Sequence, residues 1–144
     1  MTARFFADTN IAVYSLDENL DKRRRAFEII RHRPVISVQV VNEFLSVLLS
    51  KRRLDRPTAN RLGQILLRRC EVVSMTAEIT LKAMQLGERY QISHWDALIV
   101  AAALSASCDT LYSEDMQDGL IFEERLTVVN PFAAGQRRGF HPRG

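Results

Sequence analysis

Polar and apolar positions along the chain follow two alternating periods. Arg4-Phe5-Phe6-Ala7, Pro34-Val35-Ile36, Glu71-Val72-Val73-Ser74, Thr110-Leu111-Tyr112 and Thr127-Val128-Val129 are short, mostly apolar runs, and each predicts a strand. Between them the spacing turns helical. Asn10 to Leu16 predicts a short helix. In a helix over 20–31, Leu20, Phe27 and Ile30 share a face, with Lys22 to Arg25 and Glu28 mostly outside it. Ser37 is placed to cap a helix over 38–51 whose stripe is Val40, Phe44, Val47 and Leu48. Pro57 opens a helix carrying Leu62, Ile65, Leu66 and Arg69. Thr76 caps the next, with Ile79, Ala83, Leu86 and Tyr90 inward, and Ser93 with Asp96 starts another in capping-box spacing. From Ala97 to Ser107 no residue is charged, so that last helix is predicted to be buried nearly all round.

Strands alternating with helices predict an α/β fold, with a five-stranded parallel, Rossmann-like sheet flanked by helices. One domain over 1–132 is expected, followed by a flexible tail over 133–144, where Gly, Arg and Pro dominate. In such sheets sites form outside the carboxyl ends of the strands, where strand order reverses.

Composition narrows the chemistry. The 144 residues, 47% apolar and 26% charged, make an ordinary globular domain. No apolar run approaches the ~18 residues of a membrane span, and Asp8 comes too early for a secretory signal. The expectation is therefore a cytoplasmic protein without a membrane partner. Cys70 and Cys108 stand apart and are read as reduced, buried thiols. His32, His94 and His141 are too scattered for zinc, and no nucleophile motif accompanies His94.

Net charge is only +3, from 20 basic and 17 acidic residues. With five acids set aside for one site, twelve remain against twenty, and the remaining surface carries +8. The arginines cluster at Arg23-Arg24-Arg25, Arg31 and Arg33, Arg52-Arg53, Arg68-Arg69 and Arg137-Arg138. Taken singly, each cluster is equally well a solvated helix face; together they make a surface suited to phosphates.

Acids stand where the strands end. Asp8 directly follows the first strand, and Asp115 lies just beyond Tyr112, with Asp118 one helical step further. Asp96 is in the first turn of the uncharged helix, and Glu43 interrupts the apolar stripe of its own. Each alone has a structural reading: Asp8 and Asp96 as caps, Glu43 paired with an arginine, Asp115 and Asp118 as turn residues. Together those readings would have to put four acids at one end of one sheet by coincidence. Clustered carboxylates repel strongly in a cleft unless a cation neutralises them, and an all-oxygen site selects Mg²⁺ or Mn²⁺.

Four segments in order carry a resemblance: Asp8-Thr9-Asn10, Ser37 with Glu43, Asp96-Ala97-Leu98-Ile99 with Ala101-Ala102-Ala103, and Tyr112-Ser113-Glu114-Asp115-Met116. From about Phe5 to Phe132 the chain resembles the PIN-domain ribonucleases, and within them the VapC toxins of bacterial toxin–antitoxin pairs. The resemblance implies a Mg²⁺- or Mn²⁺-dependent endoribonuclease with Asp8, Asp96 and Asp115 as main metal ligands. Glu43 would ligate directly or through water, or orient the attacking water. Thr9 and Ser113 match hydroxyl positions that bond the carboxylates or a substrate phosphate; Asn10 would steady its loop, and Asp118 is an acid whose role varies. Arg23, Arg24, Arg25, Arg52 and Arg53 would hold RNA. The resemblance also implies a homodimer and a small VapB-like antitoxin lying in a groove over the site. Val41, Leu45 and Leu49, off the main stripe of their helix, either face that partner or are buried in the chain's own core.

Three other readings compete. A phosphoryl-transfer signalling domain needs paired acids after the first strand and a lysine at a later strand end, and Lys22, Lys51 and Lys82 are not so placed. A catalytically silent RNA- or partner-binding PIN domain often lacks one or more acids, whereas all four are present. A housekeeping RNA-processing nuclease would keep the chemistry; the short single-domain chain favours the toxin.

Overall fold

In the computed structural model, which describes residues 3–133, one six-stranded sheet organises the chain. β1 (Phe5–Ala7), β2 (Val35–Ser37), β3 (Glu71–Val73), β4 (Thr110–Tyr112) and β6 (Leu126–Val129) are parallel, and β5 (Ile121–Phe122) pairs antiparallel with β6. The order is β3-β2-β1-β4-β6-β5. The crossovers contain α1 (Thr9–Tyr14), α2 (Leu20–Arg31), α3 (Val38–Ser50), α4 (Arg56–Arg69), α5 (Ala77–Tyr90) and α6 (His94–Ser105). Ser37, Thr76 and Ser93 cap α3, α5 and α6 by accepting from the amides of Val40, Ile79 and Asp96. The tail expected from Ala133 onward, with Arg137, Arg138 and His141, falls outside the described residues from residue 134.

The sixth strand is the main departure from the expected sheet. β5 is two residues long and leaves no periodic signature. It exists because Glu123 and Glu124, at φ of 52° and 57°, form a left-handed turn back to β6. Neither is a residue that usually marks such a turn. Tertiary bonds hold it: the Glu123 carboxylate accepts from Lys82 Nζ at 2.8 Å, Arg89 at 2.9 Å and Tyr90 Oη at 2.9 Å, while the Glu123 amide donates to that same Oη. At the opposite end of the sheet from the C-terminal strand ends, Arg4 is salt-bridged to Glu71 at the start of β3.

Two helices turn a different face inward than periodicity suggests. On α2 the buried residues are Ala26 and Ile29, while Leu20 and Phe27 are more than half exposed. On α4 they are Ala59, Gly63 and Leu66, and Ile65 points outward. Small residues set the approach: a Cβ on Gly63 would lie 2.8 Å from Leu45 Cδ2. That contact also bears on the second apolar stripe of α3. Val41 is buried, while Leu45 packs on Gly63 and Leu49 lies against the core, both partly buried.

Helix α6 is the centre of the molecule. Every residue from Ala97 to Leu104 is buried, between α5 on one side and β2 and β6 on the other. Its alanines allow the close approach, because packing at crystal-like density leaves no room for extra methylenes. Cys70 and Cys108 are buried and free, and burial pushes both thiols up to about 12, so they pack as apolar groups. Among the described residues no helix is long and apolar enough to cross a membrane. Ala101→Leu is expected to cost about 1–3 kcal/mol by overpacking this layer, measured by denaturant unfolding.

Candidate active site

Strand order reverses beside β1, with β2 on one flank and β4 on the other, and the crevice this opens lies at the C-terminal ends of the strands. Asp8 leaves β1 there and caps α1. Its side chain is nearly buried, with Oδ1 accepting from the Thr9 amide at 2.7 Å and Oδ2 from Ser113 Oγ at 2.8 Å. Ser113, fully buried one residue past β4, also accepts from the Asp115 amide at 3.2 Å. One hydroxyl thus ties the end of β1 to the loop after β4.

The three residues Asp8-Thr9-Asn10 each engage a different acid. Asp8 is itself one. Thr9 Oγ1 donates to Glu43 Oε2 at 2.7 Å, reaching across to α3. Asn10 Nδ2 donates to Asp115 Oδ2 at 3.1 Å, and Asn10 Oδ1 accepts from the Glu114 amide at 3.3 Å. Glu43 is fixed on its other oxygen by Gln39 Nε2 at 2.9 Å, one helical turn earlier. Asp96 stands in the first turn of α6, its amide donating to Ser93 Oγ.

Electrostatics joins the four. Burial raises the Asp8 carboxyl to about 6; Ser113 and Thr9 pull it back, and Asp115 and Asp96 push it further up. The Asp96 carboxyl is also raised, by burial first and then by Asp115 and Glu43. Among the described residues none of Asp8, Glu43, Asp96 and Asp115 has an ion-pair partner. The crevice is therefore a concentration of negative charge without a protein counter-charge.

Asp118 has a backbone partner of its own. Its Oδ1 accepts from the Asn130 amide at 2.8 Å and braces the loop before β5 against the end of β6. The five arginines expected to hold RNA divide as well. Arg23, Arg24 and Arg53 are exposed, and Arg25 is half-buried, with its guanidinium lowered by burial. Arg52 donates to the Leu16 carbonyl at 3.1 Å, tying the end of α3 to the loop after α1. Periodicity missed Gln39, although its position four residues before Glu43 on one helix was a usable signal. It also missed Glu114, bonded by Tyr14 Oη and by Lys22 at 3.4 Å, partners so distant in sequence that no local pattern links them.

Comparison with known proteins bears on the family and the fold. A family model described as the PIN domain matches residues 5–118. Among solved structures, FitAcB from Neisseria gonorrhoeae is similar at TM-score 0.66 and 21% identity, covering 89% of this chain and 98% of its own. A toxin–antitoxin complex from Klebsiella pneumoniae gives 0.64 and 22%, covering 90% and 98%. The sarcin–ricin loop cleaving toxin VapC20 of Mycobacterium tuberculosis gives 0.62 and 20%, covering 77% and 89%. A comparison with curated proteins gives no match.

The raised Asp8 carboxyl has a direct consequence for stability. The fold favours the protonated form, so this contribution is fully present below the ordinary value of 3.8 and is lost as pH rises through about 6. The difference corresponds to about 3 kcal/mol at neutral pH. In chelator, Asp8→Asn is expected to raise Tm relative to wild type above pH 6, with the gap closing towards pH 4, as read by thermal melts across that range.

Proposed function

The chain belongs to the PIN-domain family, and from that membership we propose that it is a Mg²⁺- or Mn²⁺-dependent endoribonuclease serving as the toxin of a toxin–antitoxin pair. The observation that carries the proposal is the group of four mutually repelling carboxylates, Asp8, Glu43, Asp96 and Asp115, with no cationic partner among the described residues. Their donors are oxygen only, with neither His nor Cys beside them, which suits a hard cation. Among the described residues no group of three or more His, Cys, Asp or Glu side chains is placed to hold a metal ion. Mg²⁺ does not require such a group, since it keeps several waters and takes one or two carboxylates.

Of Asp8, Asp96, Asp115 and Glu43, one or two would hold the ion directly and the others through its waters. When bound, it supplies an activated water and Lewis-acid stabilisation of charge on the phosphoryl oxygens. The chain's own groups do the positioning. Ser113 and the Thr9 amide fix both oxygens of Asp8, so the carboxylate does not reorient during turnover. Thr9 and Gln39 hold Glu43 by one oxygen each, leaving its remaining lone pairs to orient a water. Asn10 keeps the exposed Asp115 against the crevice. Arg23, Arg24 and Arg53 present exposed cations for RNA phosphates. A small antitoxin and a homodimer belong to the same proposal. Support for the antitoxin comes from folds of this shape found as toxin–antitoxin complexes.

The test is cleavage of mixed cellular RNA by the purified chain, with Mg²⁺, with Mn²⁺ and with chelator. Discrete fragments are expected only with metal, and Asp8→Asn and Asp96→Asn should each lower the rate about 100-fold or more. In cells, induction of wild type should arrest growth while either variant does not. Cleavage that persists in both variants would overturn the acidic-site mechanism. RNA binding without cleavage by the folded wild-type chain in metal would leave a silent binding domain instead.

A further inference from the structure

A groove of ≈ 700 Å³ opens beside the acid group and shares Gln39 and Glu43 with it. Its lining includes Trp95, Met75 and Leu98, the amides Gln39 and Asn42, and Glu43. Trp95 is 65% exposed, the most exposed of the large apolar side chains among the described residues, and it is the chain's single tryptophan. The indole thus leaves a flat aromatic face open to whatever enters the groove. Its neighbours in sequence are His94, whose ring centroid lies 6.0 Å away, and Asp96.

We propose that Trp95 is a stacking platform for an unpaired nucleobase of the RNA substrate, seated in this groove with its edge towards Gln39 and Asn42. The inference rests on the nuclease reading and adds a recognition element to it. Two features favour a base over other parts of RNA. Glu43 is the one charged residue lining the groove among the described residues, so a phosphate is repelled there. A neutral ring with exocyclic N–H donors instead complements Glu43 and the two amide groups. The groove is also continuous with the acid group, since Glu43 belongs to both and Trp95 adjoins Asp96. A base in the groove therefore belongs to a nucleotide at or next to the bond that is cut. Because stacking needs an exposed ring face, the substrate must be single-stranded or looped at that position.

As the only tryptophan, Trp95 reports on its own occupancy. An unstructured oligoribonucleotide is titrated into wild type in chelator, and into Asp8→Asn with Mg²⁺, following tryptophan emission and the anisotropy of labelled RNA together. Emission should change with the same midpoint as anisotropy. Trp95→Ala should weaken binding about 5- to 100-fold, with Trp95→Phe recovering most of it. A duplex of the same sequence should be indifferent to both variants. In a series of oligonucleotides with a single abasic position, one position should lose affinity in wild type but not in Trp95→Ala. Saturation by RNA with unchanged emission, an equal loss for duplex, or no single-stranded binding under either condition would overturn the proposal. The first of these would leave the groove to a protein partner. Correct stacking without cleavage by wild type in metal would sink the nuclease reading alone.

Discussion

A carboxylate held out of water costs several kcal/mol unless something nearby compensates, and Asp8 sits at the point where this chain has to meet that cost. It leaves the central strand between β2 and β4, 6% exposed, with two hydrogen bonds that offset only part of the penalty. Hydrogen bonding alone would place the carboxyl below its usual range; its position at about 6 says that burial and neighbouring acids win. The protein thus carries an uncompensated charge at its geometric switch point. The surrounding polar residues hold that charge in place instead of neutralising it. Thr9 reaches α3, Asn10 and Ser113 reach the loop after β4, and the result is one short segment that sets the spacing of elements far apart in sequence.

The same logic explains why the scaffold is so rich in small residues. Asp96 is useful only if α6 comes close under the sheet, and α6 does so through a run of alanines buried on every side. Gly63 does the equivalent for α4 against α3, letting Leu45 pack directly on it and steadying the helix that carries Glu43 and Gln39. Tight packing behind the acids and open charge in front of them are two halves of one arrangement: a rigid frame keeps like charges close when they would otherwise move apart.

Much of this was legible in the sequence, for reasons that residues make plain. Short apolar runs ending in Asp8 and close before Asp115, and an uncharged stretch from Ala97 to Ser107 after Asp96, are strong local signals because burial leaves few other residues acceptable there. Small residues carry weaker ones. Ala26 and Gly63 mark contact faces, yet any hydrophobic periodicity prefers Phe27 and Ile65, which are exposed. The acids look uniform in sequence, and only the fold shows that Asp118 engages the Asn130 amide. Glu123 and Glu124 could not be read at all, since their left-handed turn depends on Lys82, Arg89 and Tyr90 from another element. Local chemistry is visible where a residue serves its own segment and hidden where it serves a distant one.

The β5–β6 hairpin has a bearing on behaviour in a crowded cell. A parallel sheet offers unpaired backbone at both margins, and a long flat margin invites a second chain to add on. Here one margin ends in a strand of two residues, pinned by its turn to α5, and offers too little backbone to template anything. The other begins at Glu71, engaged with Arg4, and is three residues long. Both margins are thus short, which limits the backbone either one offers to a second chain.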